Sequence, residues 1–342
     1  MNDNIGFKIL KKFGLVLKPY LGPLLALIII SLVIGTFTDR FWEVANWVNI
    51  VRAVSIVALM AIGAMLVILI GGIDISSGPM IALTSMVLAT MVRNMGFPLW
   101  SGILLTVLLA TALGALNGFF VVFLKMPAFV VTLATASALR GAAFLFHNGA
   151  AIFTVHPNFS PLFLGMLFDA IPFPLIYVIV FYSLFSYMLR YTKLGREIYA
   201  VGGNEQAAKL SGINVKKVKL IVFALAGMMT GFAAVLMSAW TNSGSPNFAV
   251  GLEMWAIAAA VVGGASLGGG RGYIFNALFG ALIIQVVRNA LNLNAAPNTV
   301  QDIALGIIIV LAVALDIWKG NLGVGIKKLF VREKDADSHT KA

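Results

Sequence analysis

Few residues in this chain are of a type that does chemistry, and their spacing narrows what that chemistry is. Asp74 sits in a glycine-rich stretch at residues 71–78 (GGIDISSG), Glu253 opens an apolar run, and Asp302 and Asp316 stand near the two ends of another. Carboxylates inside a membrane are costly and functional where they occur. None here falls at the centre of an apolar run, which argues against an ion-coupled carrier, and Arg140 and Arg288 also lie nearer ends than centres. Asp74 admits two readings. It is a pathway or gate residue in broken backbone that lines a cavity, or part of an N-cap in which Asp74, Ser76 or Ser77 accepts the orphan N–H groups of the next helix. Asn117, Thr132, Thr135, Ser137 and Asn276 are uncharged polar groups within apolar runs. They suit a path for a hydroxyl-bearing solute, or plain interhelical hydrogen bonds.

Other chemistries are excluded more firmly. No glycine is followed by lysine, so the phosphate-binding loop G-x-x-x-x-G-K-[ST] is absent. The chain has no cysteine, which removes disulfides, thiolate catalysis and Cys-ligated metals. His147, His156 and His339 show no helical pairing, so no metal site is expected. No Ser/His/Asp set or carboxylate pair stands out, and no catalytic residue is assigned.

These groups must be positioned by an unusually apolar chain. Its 342 residues are 60% hydrophobic and 11% charged, against roughly 25% charged in a soluble domain, and the mean hydropathy is +0.98. This predicts an all-α polytopic membrane protein. Apolar runs at 20–37, 53–70, 80–92, 99–124, 128–146, 172–189, 220–239, 253–262, 273–287 and 299–317 suggest about ten transmembrane helices, of which 80–92 and 253–262 are short. The first run precedes Thr38, Asp39 and Arg40 without a small-residue cleavage site, so it is expected to be retained. Residues 39–52 are read as a loop with Trp42 and Trp47 as interface anchors. Residues 147–171 and 240–252 are also read as loops, with an interfacial patch at 162–168.

The net charge of +11 follows topology rather than nucleic-acid binding. Nineteen of the 24 basic residues fall in the N-terminal segment 1–19, the loop 190–219, the tail 319–342, or at Lys125 and Arg271. The positive-inside rule then places both termini and that loop in the cytoplasm, around a membrane domain at 20–318.

The loop at 190–219 contains one further signal. Asn204 is a good N-cap, Glu205 and Lys209 complement the helix dipole, and Gly212 suits the C′ position. They predict a two-turn helix at 205–211, entered through an uncharged Gly202-Gly203-Asn204. A helix so short is marginal in water. Its Ala207, Ala208 and Leu210 are expected to form a small apolar surface that docks on a partner, or else on the chain's own membrane domain. A weak internal echo relates residues 53–92 to 253–287, each an apolar run, a glycine-rich turn and a second apolar run.

Four segments carry a resemblance: 71–78 (GGIDISSG), 126–139 (MPAFVVTLATASAL), 195–214 (GREIYAVGGNEQAAKLSGIN) and 263–272 (GGASLGGGRG). Together, and in this order, they resemble the ribose-type monosaccharide permeases of bacterial ABC importers over residues 50–317. The resemblance implies a multi-pass inner-membrane protein with a fold like that of the vitamin B12 importer (type II). It implies pairing with a second permease copy or paralogue, a cytoplasmic ATPase that binds ATP and Mg, a periplasmic sugar-binding protein, and contact with membrane lipid. The helix at 205–211 would couple to the ATPase through Gly202, Gly203, Asn204, Glu205, Ala208, Lys209, Ser211 and Gly212, with Ala207 and Leu210 on the same element. Asp74, Ser76, Asn117, Thr132, Thr135 and Asn276 are the candidate path or gate residues. The run Gly268-Gly269-Gly270 is richer in glycine than the family's usual turn and is expected to loosen it. The rival functions are a self-sufficient secondary sugar carrier and a membrane-embedded enzyme.

Overall fold

The structure, a computed structural model, describes residues 3–297, 299–311, 313 and 314, with side chains from residue 20 onward. The tail at 319–342 and the end of the tenth apolar run lie outside the described residues. Helix α1 runs Asp3–Phe37, α2 Val44–Leu69, α3 Ser77–Ala89, α4 Leu99–Phe123 and α5 Ala128–Leu145. Then come a short α6, Phe159–Leu164, and α7, Phe173–Tyr191, followed by α8 Lys193–Gly203, α9 Glu205–Leu210, α10 Val215–Thr241, α11 Leu252–Val262 and α12 Ile274–Leu293. A last helix, α13, spans Thr299–Leu311. Among the described residues, seven helices are individually long and apolar enough to cross a membrane, and α11 and α13 are shorter apolar helices.

Helix α2 is the hub. Its most apolar window is 83% buried within the protein, against 6% for α1, which lies at the periphery. The helix begins at Val44, nine residues before the apolar run expected at 53, so Trp47 is helical rather than part of a loop. Its polar early residues find distant partners: Asn46 exchanges side-chain hydrogen bonds with Asn289 of α12 at 2.8 and 3.1 Å, and Arg52 Nη2 donates to Leu164 O at 3.0 Å, while Arg52 Nε is buried without a partner among the described residues. Those long-range partners are what let the helix continue where composition suggests a loop. Helix α10 crosses α4 at Gly114 and Gly227, where a Cβ on either would strike the other helix's backbone; small residues permit such close approach in lipid.

Two spans are broken, and they meet. Helix α11 has 11 residues, about 17 Å at ~1.5 Å per residue and well short of a ~30 Å hydrocarbon core, whereas the 13 residues of α3 run on into a five-residue π-helical segment, Thr90–Asn94, and together reach about 27 Å. Each is preceded by non-helical backbone. Residues 72–76 lead into α3 and are almost wholly buried. The segment expected as a polar loop at 240–252 instead runs back along α3. Gly244 packs against Ser85 O and Ala89, and Ser85 Oγ lies within 3.4–3.5 Å of the Ser245 backbone. Further along, Ala249 and Glu253 lie against Gly78. The N-termini of the two half-helices therefore face each other inside the bundle. Such backbone is tolerated at depth because it is enclosed by protein.

The opposite end of the bundle from α8 and α9 is capped by short pieces. Strand β1 (Ile152–Phe153) and β4 (Ser243–Gly244) pair antiparallel, as do β2 (Met166–Leu167) and β3 (Ile171–Pro172). The patch at 162–168 is divided between α6 and the β2–β3 hairpin, with Phe168 exposed at its tip.

Candidate functional site

The α8–α9 end is built from local signals that the structure uses in full. Thr192 caps α8 by accepting from Gly195 N at 3.2 Å. Helix α8 buries Gly195, Ile198 and Val201 on one face and continues through Gly202 and Gly203, which were expected to form the uncharged entry to the next helix. The chain turns only at Asn204, whose φ of −161° breaks the helix. Asn204 Oδ1 then accepts from Ala207 N at 2.9 Å and starts α9. At the far end Gly212, at φ +81°, donates to Lys209 O at 3.1 Å, and Ile213 N donates to Ala208 O at 3.1 Å. This pair of bonds is a Schellman motif, for which glycine at C′ is suited. Glu205 Oε2 also meets Lys219 Nζ of α10 at 2.7 Å, a partner that no local signal indicates.

The expected apolar surface of α9 divides in two. Ala208 is 4% exposed and packs into its own membrane domain, whereas Leu210 is 90% exposed and projects outward. A helix of six residues turns these two positions to different sides, so Ala207 and Ala208 do not form one outward face. Gly203, Asn204, Glu205, Ala207, Lys209, Ser211 and Gly212 are exposed with Leu210.

Gly202 has an inward role. A Cβ there would collide with Leu69 O at the end of α2 and would lie 2.6 Å from Gly270 N. Gly270 N donates to Leu69 O at 2.9 Å, and Tyr199 OH donates to Gly272 O at 2.7 Å. Burial pushes the Tyr199 hydroxyl up to about 12, so it stays a protonated donor at neutral pH. The glycine run at 268–270, expected to loosen the turn, does the reverse. Gly269 and Gly270 take φ values of +83° and +68°, and a side chain on either would meet the backbone of Gly202 or Gly203. Glycine allows the positive φ and the close approach together.

The polar residues converge partly. Asp74 Oδ1 accepts from Ser76 N at 2.8 Å and from Ser76 Oγ at 2.6 Å. Asn117 Nδ2 donates to Ser76 Oγ at 2.9 Å, and Thr132 Oγ1 donates to Ile73 O at 3.1 Å. Asp74, Ser76, Asn117 and Thr132 thus brace the extended entry to α3. Thr135 bonds carbonyls of its own helix α5, and Asn276 is buried in the first turn of α12, where its backbone carbonyl abuts Gly263. Neither is hydrogen-bonded to the Asp74 group among the bonds above.

Two charged residues reach the centre unannounced. Glu253, which looks like the start of a span, lies within one, because its span begins with the extended run before α11. Its Oε2 is buried and has no hydrogen-bond partner among the described residues. Arg140 Nη1 donates to Pro246 O at 2.6 Å and Phe248 O at 2.8 Å, holding that extended run against α5. Among the described residues no group of three or more metal-ligating side chains is gathered.

Comparison with known proteins gives the family. The family described as the permease component of branched-chain amino acid transport systems matches residues 46–313. The ribose import permease protein of Haemophilus influenzae is 39% identical over 86% of this chain and 92% of its own length. That of Escherichia coli is also 39% identical, over the same shares. The xylose transport system permease protein of Haemophilus influenzae is 33% identical over 86% of this chain and 94% of its own. No solved structure matches. With a family match across residues 46–313 and seven membrane-length helices, the chain belongs to this permease family as a ribose-type ABC importer permease, a multi-pass protein of the inner membrane.

Proposed function

We propose that this chain is the membrane-spanning subunit of an ATP-driven importer of a monosaccharide of the ribose, xylose or allose class. A periplasmic binding protein delivers the sugar, a separate ATPase binds ATP and Mg, and a second permease subunit completes the path. In this reading α3 and α11 count as spans together with the extended backbone before them, an even total of ten leaves both termini on one side, the excess of basic residues there and at the α8–α9 end makes that side the cytoplasm, and the fold is of the vitamin B12-importer kind.

The observation that carries the reading is α9 itself. A six-residue helix is capped at both ends, presents Leu210 almost fully to solvent, and is joined through Gly202 and Gly270 to the turns that precede α3 and α12. A displacement of α9 is thereby delivered to both broken spans as a rigid-body shift rather than absorbed by a loop. The test is reconstitution with the ATPase and binding protein, measuring sugar-stimulated ATP hydrolysis and uptake over a panel of pentoses and hexoses. Leu210→Glu is expected to abolish both while the permease remains folded; undiminished uptake by that variant would refute the coupling role.

One observation favours a second reading. Glu253, a carboxylate whose Oε2 is buried without a hydrogen-bond partner among the described residues, is the kind of group a proton-coupled carrier needs. Counterflow of sugar by the purified chain alone, lost in Glu253→Gln, would establish that carrier instead.

A further inference from the structure

A cleft of about 680 Å³ opens beside α9, between the turn after α4 and the start of α10. Lys125, Lys209, Lys216 and Lys219 line it, with Glu205 as its one carboxylate and Phe223 among its apolar walls. Glu205 is taken up by Lys219 at 2.7 Å. Among the described residues no carboxylate lies within ion-pair distance of Lys125, Lys209 or Lys216. The cleft therefore concentrates uncompensated positive charge around a half-open volume, which topology anchoring alone does not require. Its mouth is continuous with an apolar stripe. The Lys216 ammonium sits 5.6 Å from the Phe123 ring centroid, and Leu116, Phe119 and Phe123 are exposed along the same side of α4 at helical spacing.

We propose that this cleft binds the headgroup of an anionic phospholipid, its acyl chains lying along Leu116, Phe119 and Phe123. A soluble anion would use the lysines but leave the stripe idle, and the stripe selects a lipid. Basic pockets at the ends of membrane helices suit such headgroups. The consequence rests on the function proposed above: Glu205 and Lys209 belong to α9, so a lipid bridging Lys125 to Lys209 orders the helix that meets the motor.

The full-length permease, purified without any partner, is mixed with phosphatidylglycerol or phosphatidylcholine, and bound lipid is counted by native mass spectrometry. Phosphatidylglycerol is expected to be retained in preference. The K125Q/K209Q/K216Q triple variant should weaken its binding roughly a hundredfold, about fivefold for each lysine. Lys217→Gln, outside the cleft, should leave binding unchanged. If the triple variant does not fold, Lys125→Gln and Lys209→Gln singly give the same reading at about fivefold each. Equal retention of phosphatidylcholine, or a triple variant that binds as the parent does, would overturn the proposal. So would competition by inorganic phosphate at the same concentration as phosphatidylglycerol, which would make the cleft a soluble-anion site. The measurement uses neither sugar nor ATPase, so its failure and failure of the transport reading are separable.

Discussion

Of the junctions at which glycine lets backbone approach closely, those at Gly202 and Gly78 differ in what the glycine meets. At Gly202 the neighbours are backbone atoms, Leu69 O and Gly270 N. At Gly78 the nearest is the carboxylate of Glu253, the tip of a flexible side chain, with Ala249 O behind it. Backbone tied into two helices and a turn cannot step aside, whereas a carboxylate can rotate away. The first junction meets backbone alone and lies beside α9; the second meets a movable carboxylate as well as the Ala249 carbonyl, which makes it the softer of the two, and it lies where the two short helices face each other. A device that turns motion at one end into opening at another needs that distribution, because packed elements transmit displacement and only a poorly tied one yields to it.

The comparison can be broken most directly at the stiff joint. Gly202→Ala is expected to destabilise the protein by about 3 kcal/mol, the upper range for overpacking, even after about 1 kcal/mol gained in helix propensity. A thermal melt of the purified permease reads this, and a melt unchanged from the parent would mean the joint is not stiff. Gly78→Ala should cost less, about 1–2 kcal/mol, and the difference in kind appears in a double variant. Adding Glu253→Ala should recover part of the loss, with a coupling of at least about 0.5 kcal/mol; strict additivity would place the strain on Ala249 O alone.

Smaller effects sharpen the picture of α9. Asn204→Ala should cost about 1 kcal/mol through the lost cap, while Asn204→Asp keeps it, as measured by the protease sensitivity of the 204–214 segment. Tyr199→Phe should cost about 1 kcal/mol. Because the Tyr199 hydroxyl is raised from 10.0 to about 12, its contribution is complete below pH 10.0 and is lost as pH rises toward about 12. A pH-dependent melt that loses this limb in Tyr199→Phe checks the sign. The Glu205–Lys219 pair is partly exposed, with side-chain exposures of 55% and 20%. Lys219→Gln should therefore shift stability by less than about 1 kcal/mol, and less again at high salt.

Much of this was legible along the chain, for identifiable reasons. The caps of α9 were readable because Asn204 and Gly212 act on backbone groups two or three residues away. The long apolar helices were readable because length and hydropathy alone qualify a span. The early start of α2 was hidden, since Asn46 and Arg52 look like loop residues until Asn289 and Leu164 bond to them. The course of α8 through Gly202-Gly203 was hidden too, because two glycines read as an opening until Leu69 and Gly270 close around them.

What the sequence determined by itself was therefore everything governed by neighbours in the chain: the membrane class, most of the spans, and the capped helix at the centre of its most polar loop. Only the tertiary structure decided that 243–251 is half of a span rather than a loop, that Glu253 lies inside the bundle against Gly78, and that Ala208 faces inward while Leu210 faces out. Each of these depends on a partner dozens to hundreds of residues away, and a chain written in one dimension carries no mark of which backbone will be pressed against which.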